Sequence, residues 1–152
     1  MDVEKTVTQI LGAAYAVHTA LGPGLLEAVY QTCMLEELRA RGIPAEAQVA
    51  VPVIFRDKRI ELAYRADIVV GREILIELKS VAEISPMHCA QTINYIRLGH
   101  FAVGLLLNFN VLHFRDGIRR FSDKSRLGAE KMIVIPPFKK PSAIPTKNPE
   151  HP

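Results

Sequence analysis

The sequence predicts a single α/β domain whose elements follow in the order αα-βββ-α-ββ. Of its 152 residues 49% are apolar, which at this length is enough for one hydrophobic core and too little for two domains. Helical periodicity opens the chain, and short runs rich in β-branched residues follow it. These observations together favour helices packed on one sheet.

Two helices are predicted at the start of the chain. Apolar side chains recur at three- and four-residue spacing over residues 3–21, which is typical of an amphipathic helix packed on a core. The sequence Gly22-Pro23-Gly24 ends this helix. Because proline suits the first turn of a helix, we expect a second one over residues 23–41, closed by Gly42 and Pro44.

Three strands are predicted next, over residues 49–55, 60–70 and 74–81. A charged segment separates the first two, and Gly71-Arg72 separates the second from the third. Short connections of this kind join antiparallel neighbours, so we expect a meander.

A third helix and two more strands complete the predicted domain. Ser85 and Pro86 are a typical N-cap and first turn, and Gly99 is expected to close this helix. Further strands are predicted over residues 102–107 and 111–114, with a turn immediately after the last one.

We expect the folded domain to span residues 1–122 and a basic, proline-rich tail to span residues 123–152. One extra strand is expected near residues 132–135, and the tail is expected to be largely disordered beyond residue 138. No apolar run approaches the roughly 20 residues that span a bilayer, and the start of the chain does not resemble a signal peptide. A cytoplasmic protein without a membrane partner is therefore predicted.

The net charge and the cysteine content exclude few classes of function. The net charge of +3 permits a nucleic-acid partner without identifying one. Cys33 and Cys89 are far apart and lack the spacing of a zinc site or a disulfide framework, so we expect reduced, buried thiols. His18, at the end of the first helix, is interpreted as a core histidine rather than a metal ligand.

Two acidic residues interrupt runs that otherwise predict buried strands. Asp67 lies within the run Tyr-Arg-Ala-Asp-Ile-Val-Val, and Glu77 and Lys79 lie within Ile-Leu-Ile-Glu-Leu-Lys. Charged groups are rarely taken out of water without a partner. Two carboxylates and an amine suit Mg²⁺ or Mn²⁺ and the attack of water on a phosphodiester, with the Leu78 main-chain carbonyl as a third ligand. The alternative is a cross-strand ion pair of Asp67 with Arg65 or Lys79.

The metal hypothesis requires a particular register in the hairpin between the second and third strands. Side chains alternate along a strand, so Glu77 and Lys79 share one face. Asp67 joins them only if it lies opposite Glu77, which a two-residue turn at Gly71-Arg72 forbids because it shifts the register by one. We therefore expect a three-residue loop or a bulge.

Polar residues on two predicted helices complete the candidate set. His88, Gln91 and Tyr95 follow one another at helical spacing and form one polar stripe of the third helix. Glu27 and Tyr30 lie one turn apart in the second helix, where Glu27 also complements the helix dipole.

This ordered set of motifs resembles the PD-(D/E)XK nuclease superfamily, and specifically its GxxExxY proteins, close to the RecB-like branch. The motifs are Gly24-x-x-Glu27-x-x-Tyr30, Asp67, Glu77-x-Lys79 and Gln91-x-x-x-Tyr95. The likeness covers residues 3–121 and implies a restriction-endonuclease-like core with a mixed β-sheet flanked by helices. The chain departs from the pattern at Ala66, where the superfamily's name has a proline, and in its long tail.

The resemblance also implies roles for individual residues. The divalent ion would be held by Asp67, Glu77, the Leu78 carbonyl and, directly or through water, Glu27. Lys79 would assist the attacking water. Gln91 and Tyr95 would steady the site or the nucleic-acid backbone. The predicted catalytic residues are Glu27, Asp67, Glu77, Lys79, Gln91 and Tyr95. The predicted substrate-binding residues are Tyr30, His88, Gln91 and Tyr95.

The expected function is Mg²⁺- or Mn²⁺-dependent hydrolysis of phosphodiesters, with DNA preferred to RNA as the partner. A chain this small has no separate specificity domain, so a homodimer or a partner protein is expected to supply what it lacks. Two alternatives stay open. One is a catalytically inactive nuclease-like module that engages nucleic acid or protein, and the other is a purely structural network of ion pairs.

Overall fold

The computed structural model describes residues 1–123 and 132–135, with only the backbone described at residues 62, 63 and 132–135. The helices are α1 (Val3–Leu21), α2 (Glu27–Ala40) and α3 (Pro86–Gly99), together with a short 3-10 helix over Phe114–Gly117. The strands are β1 (Glu46–Phe55), β2 (Lys58–Val70), β3 (Ile74–Lys79), β4 (Val103–Asn108), β5 (Ile118–Asp123) and β6 (Met132–Ile135).

The described strands form one mixed sheet in the order β1-β2-β3-β4-β5-β6. β3 and β4 are parallel and are joined through α3, whereas every other neighbouring pair is antiparallel. Two parallel strands need a crossover connection of about a dozen residues or more, and the segment that contains α3 forms this connection. The predicted α/β class, the mixed sheet flanked by helices and the β1-β2-β3 meander are confirmed.

Helices cover both faces of the sheet and divide the core in two. α1 and α2 pack on one face, where Ile10 and Met34 meet Ile76 of β3. α3 packs on the other face, where Ile96 meets Leu75 of β3. This division follows from the alternation of side chains along β3, and both faces of that strand are buried.

α2 begins at Glu27 rather than at the predicted residue 23. Gly22 and Gly24 have φ angles of 67° and 96°, which are incompatible with a helix and which residues with a side chain rarely adopt. The segment over residues 22–26 is therefore a loop, and Leu26 takes the N-cap position in an extended conformation. The consequence for function is that Glu27 is the first residue of the helix.

The strand predicted over residues 111–114 is wrong. Phe114 begins the 3-10 helix, and its ring packs edge-on against Tyr15 of α1 with ring centroids 5.2 Å apart. Leu112 is exposed, so the segment lacks the alternation of a half-buried strand. The strand that pairs with β4 is Ile118–Asp123, where only Ile118 and Phe121 provide the buried apolar positions.

The β2–β3 hairpin has the predicted three-residue loop. Val70 lies opposite Ile74, and Ile68 lies opposite Ile76, so residues 71–73 form the connection. Gly71 and Arg72 both adopt positive φ angles, of 58° and 59°. The hydrogen-bonded ladder ends at Ile68 and Ile76, immediately before the next two positions, Asp67 and Glu77.

Several other sequence predictions can be located in the fold. β6 lies where an extra strand was predicted and pairs with β5, whereas the disorder predicted beyond residue 138 falls outside the described residues. Cys33 and Cys89 are free and partly buried. His18 is buried, with its Nε2 2.7 Å from the Val111 carbonyl oxygen, as expected of a core histidine. None of the described helices has both the length and the hydropathy to cross a bilayer.

Candidate active site

Asp67 and Glu77 are linked by a pair of crossed contacts where β2 and β3 separate. The main-chain amide of Asp67 donates to Glu77 Oε1 at 3.2 Å, and the amide of Leu78 donates to Asp67 Oδ2 at 2.8 Å. The two carboxylates thus replace main-chain carbonyls as acceptors beyond the end of the ladder. Both acids are held at one point between neighbouring strands.

In each carboxylate, one oxygen accepts a hydrogen bond from a main-chain amide, and the other has a long contact or none. Glu77 Oε1 also accepts from the Tyr64 hydroxyl, so both hydrogen bonds of this carboxylate fall on one atom. Oε2 accepts no hydrogen bond from the described residues. Asp67 Oδ1 has only a 3.5 Å contact with Gln48 Nε2. Two oxygen atoms are therefore free to bind a cation.

Burial makes the negative charge of both acids costly. Glu77 is only 6% exposed, and burial together with the nearby Asp67 carboxylate raises its pKa to about 7. Burial also raises the pKa of Asp67, against the hydrogen bond from the Leu78 amide and the positive charge of Lys79. Two adjacent acids with raised pKa values are typical of a functional site, and a bound cation would offset the cost of their charge.

Lys79 and Glu27 lie close enough to influence these acids electrostatically. The positive charge of Lys79 lowers the pKa of both Asp67 and Glu77, while Glu27 raises that of Asp67. No salt bridge engages Lys79 in the part of the chain that the structure describes. Glu27 is exposed and accepts from the Ser80 amide at 3.3 Å, just beyond the end of β3. Asp67 and Glu77 thus lie in contact through the backbone, and Lys79 and Glu27 lie within electrostatic range of them.

The cross-strand ion pair offered as the structural alternative is absent from the described residues. Arg65 directs its guanidinium to the Gln48 carbonyl oxygen at 3.4 Å, and neither Arg65 nor Lys79 forms a salt bridge with Asp67. Main-chain amides and a tyrosine hydroxyl hold the acids instead. Ion pairing therefore does not explain why these carboxylates are buried.

The predicted contact of Tyr30 with substrate is wrong in this structure. Tyr30 is fully buried, and its ring stacks on Phe109 with centroids 4.5 Å apart. Its hydroxyl donates to the Gly22 carbonyl at 2.5 Å and accepts from the Leu25 amide at 3.2 Å. With its ring and hydroxyl both engaged, Tyr30 instead holds the loop that leads into Glu27.

Further hydrogen bonds fix the same loop against the sheet. The Asn110 side chain accepts from the Gly24 amide at 3.0 Å, and the Ser80 hydroxyl donates to the Leu25 carbonyl at 2.5 Å. Buried Asn108 ties the segment after β3 to the end of β4 by accepting from the Val81 amide and donating to its carbonyl. The backbone before Glu27 and after Lys79 is therefore held in place.

The three polar residues of α3 take different positions. His88 Nδ1 accepts from the Ser85 amide at 2.9 Å and belongs to the capping box of the helix, which leaves only its Nε2 for another partner. Gln91 is exposed and makes no hydrogen bond with described residues. Tyr95 stacks on Tyr64, with ring centroids 3.2 Å and planes 13° apart. Tyr95 thus contacts the site through another tyrosine.

Sequence reasoning missed two residues that contact the acids directly. Tyr64 donates to Glu77, and Gln48 donates to Asp67 and, at 2.8 Å, to Gln31 of α2. Tyr64 precedes Asp67 by three residues in the sequence. It becomes a partner of Glu77 only because β2 and β3 lie side by side in the folded sheet. Gln48 has a φ angle of 53°, an irregularity in β1 that no composition signal indicated.

The donor set fits a hard divalent cation. No group of three histidine, cysteine or acidic side chains lies within metal-binding reach of one another among residues 1–123 and 132–135. Mg²⁺ is nevertheless commonly bound by one or two carboxylates and several waters. The Leu78 amide donates to Asp67 of β2, and a strand residue directs its N–H and C=O to the same side, so the Leu78 carbonyl is also directed to the β2 side of β3.

Comparison with known proteins adds a family assignment. Residues 4–121 match a family described as PD-(D/E)XK nuclease superfamily. No curated protein and no solved structure matches the chain. The matched segment runs from α1 to β5 and includes the whole of the site described above.

Proposed function

This chain belongs to the PD-(D/E)XK nuclease superfamily, and we propose that it is a divalent-metal-dependent nuclease. The observation that carries the proposal is the convergence of Asp67 and Glu77 at the splayed end of β2 and β3, each with an oxygen free for a cation. The energetic cost of burying both charges supports the same conclusion, because a bound ion would offset it.

The proposed ligands of Mg²⁺ or Mn²⁺ are Asp67 Oδ1, Glu77 Oε2 and the Leu78 carbonyl oxygen. Glu27 would join them directly or through a water molecule. When bound, the ion would supply Lewis-acid polarisation of a phosphoryl oxygen and a lower pKa for water. The protein's part is to hold two carboxylates in fixed positions, which the hydrogen bonds from main-chain amides support.

Lys79 is proposed to act on the reacting groups themselves. Its side chain lies on the strand of Glu77, and in the described residues no carboxylate is paired with it. An ammonium group in that position can orient the attacking water or stabilise the negative charge that gathers on the phosphate. Gln91, exposed on α3, is proposed to contact the nucleic-acid backbone, and Tyr95 to support the site from the same helix.

Within the superfamily, we propose the GxxExxY group near the RecB-like branch, on the basis of the Gly24-x-x-Glu27-x-x-Tyr30 and Gln91-x-x-x-Tyr95 motifs. We propose DNA in preference to RNA as substrate. A second copy of the chain or a partner protein is proposed to supply specificity.

A cleavage assay tests this function. The purified protein is incubated with labelled single- and double-stranded DNA and RNA, in Mg²⁺, in Mn²⁺ and in chelator, beside the Asp67→Ala and Lys79→Ala variants. We expect metal-dependent cleavage that each substitution slows by about 10²-fold or more. Cleavage that survives both substitutions would come from a contaminant and would refute the proposal.

The second candidate is a nuclease-like module that binds nucleic acid or protein without turnover. The observation that favours it is that no three metal-binding side chains converge among the described residues. The same assay separates the two candidates when it is paired with a binding measurement. Binding of DNA without cleavage in either metal, and without any effect of Lys79→Ala, would support the inactive module.

A further inference from the structure

We propose that Tyr64 is a positioning residue that holds the Glu77 carboxylate with one oxygen turned towards the metal site. This inference rests on the proposed function, since it assigns a role towards the ion that Glu77 is proposed to bind. Tyr64 lies outside the motifs that identify the superfamily in this sequence, and its hydroxyl is not proposed to touch metal or substrate.

The distribution of hydrogen bonds on Glu77 supports this role. The Tyr64 hydroxyl and the Asp67 amide both donate to Oε1. Two donors on one oxygen fix the rotation of the carboxylate and leave Oε2 as the atom that can bind a cation. The Asp67 amide is part of the backbone, so among the described residues Tyr64 supplies the one side-chain donor to Glu77 that a substitution can remove.

Tyr64 is itself held from two sides. On β2 it lies opposite Val51 of β1, beside a shift in the strand register between Val51 and Val53. Its ring stacks on Tyr95, which fixes the plane of the phenol. The hydroxyl is thus aimed at Glu77 by the sheet on one side and by α3 on the other.

The Tyr64 hydroxyl is also a dependable donor. A phenol keeps its proton at neutral pH, so the Tyr64 hydroxyl donates and the Glu77 carboxylate accepts. Partners of this kind orient metal ligands, and their loss typically costs about 10–100-fold in metal affinity. Tyr95, of the Gln91-x-x-x-Tyr95 motif on α3, stacks on the Tyr64 ring. Through this contact it would affect the metal site indirectly, by holding Tyr64.

The test compares Mn²⁺ binding to the full-length chain and to the variant Tyr64→Phe, measured by calorimetry without nucleic acid. Phenylalanine keeps the ring and the stack but removes the donor. We expect an affinity about 10–100-fold weaker than in the unmodified protein. The control is Tyr15→Phe, on α1 at the opposite face of the sheet, where Mn²⁺ affinity should not change.

A kinetic measurement separates positioning from a general loss of structure. In Tyr64→Phe, the Mn²⁺ concentration for half-maximal cleavage should rise by the same factor, and saturating Mn²⁺ should restore the rate with an unchanged KM for DNA. If Tyr64→Phe fails to fold, Tyr95→Leu provides a second variant, because it removes the stack and leaves the hydroxyl in place. Mn²⁺ binding to Tyr95→Leu should also weaken.

The outcomes distinguish the two proposals. If the unmodified protein binds Mn²⁺ and Tyr64→Phe binds it equally well, the role of Tyr64 is refuted while the nuclease proposal stands. The same holds if Tyr95→Leu, used in its place, binds with unchanged affinity. If the unmodified protein does not bind Mn²⁺, the nuclease proposal fails and this role fails with it.

Discussion

The main-chain amide of Asp67 donates a hydrogen bond to the Glu77 carboxylate, 3.2 Å away, at the point where β2 and β3 stop pairing. The Leu78 amide in turn donates to Asp67. Beyond the last paired residues, two backbone amides that have no ladder partner donate to these carboxylates instead. The site is a continuation of the hairpin, and its geometry is fixed by the register of that hairpin.

Replacing Asp67 with asparagine should abolish cleavage and leave the fold intact. Asparagine keeps an oxygen for the Leu78 amide but loses the charge that a divalent cation needs. We expect the rate in saturating Mg²⁺ to fall by about 10³-fold, since the loss of metal-assisted charge stabilisation is worth several kcal/mol. The measurement is cleavage of labelled DNA, with exposed Asp57→Asn at the β1–β2 turn as the matched control. Full activity in Asp67→Asn would contradict the ligand assignment.

Replacing Lys79 with alanine should slow the reaction without weakening metal binding. The ammonium group is proposed to act on the attacking water or the phosphate, and losing one such group costs about 10²–10³-fold in kcat. Mn²⁺ affinity should stay the same or increase, because a positive charge near both carboxylates is removed. Exposed Lys58→Ala is the control. A Lys79→Ala variant that loses Mn²⁺ binding would show that Lys79 is structural.

The stability of the metal-free protein should depend on the ionisation of Glu77. Its pKa is raised to about 7 in the folded chain, from an ordinary value of 4.5, so the folded state binds more protons between these two values. The free energy of unfolding should therefore fall as the pH rises from about 4.5 to 7 and level off above that range. The full effect is about 3 kcal/mol.

The variant Glu77→Gln tests this pH dependence. Glutamine accepts the same hydrogen bonds without a charge, so this variant should be more stable than the unmodified protein at pH 8 in chelator. Near pH 4.5 the two proteins should be similar. The measurement is urea unfolding at several pH values, and the difference between the two proteins cancels contributions from other groups. A difference that does not change across this range would contradict the raised pKa.

Removing the Tyr30 hydroxyl should destabilise the loop before Glu27. Tyr30→Phe keeps the stack on Phe109 but leaves the Gly22 carbonyl and the Leu25 amide without this partner. We expect a loss of about 1–3 kcal/mol in the free energy of unfolding, measured in urea, with Tyr15→Phe as the control. A direct role in substrate binding would instead raise KM with stability unchanged.

The three-residue loop and the placement of the acids could be predicted because they follow from the period of a strand. Once Asp67 and Glu77 were required to meet, the register of the hairpin was determined. The strand predicted over residues 111–114 failed for a different reason. Phe114 packs against Tyr15 of α1 from a 3-10 helix, a tertiary contact that local periodicity does not encode.

Tyr64 and Gln48 could not be predicted for a related reason. Their contacts with Glu77 and Asp67 cross between strands, and the irregular backbone at Gln48 is needed to make one of them. The role of Tyr30 was misassigned because helical spacing placed it beside Glu27 but did not indicate which face of α2 is buried. Motif spacing identified the acids, whereas the residues that hold them depend on packing.

The most direct test of the account is a crystal of the protein soaked in Mn²⁺ and measured for anomalous scattering. We predict one strong peak within about 2.1 Å of oxygen atoms from Asp67, Glu77 and the Leu78 carbonyl, the distance typical of small divalent ions. Ordered carboxylates with no peak between them, or a peak bound only by other residues, would contradict the account.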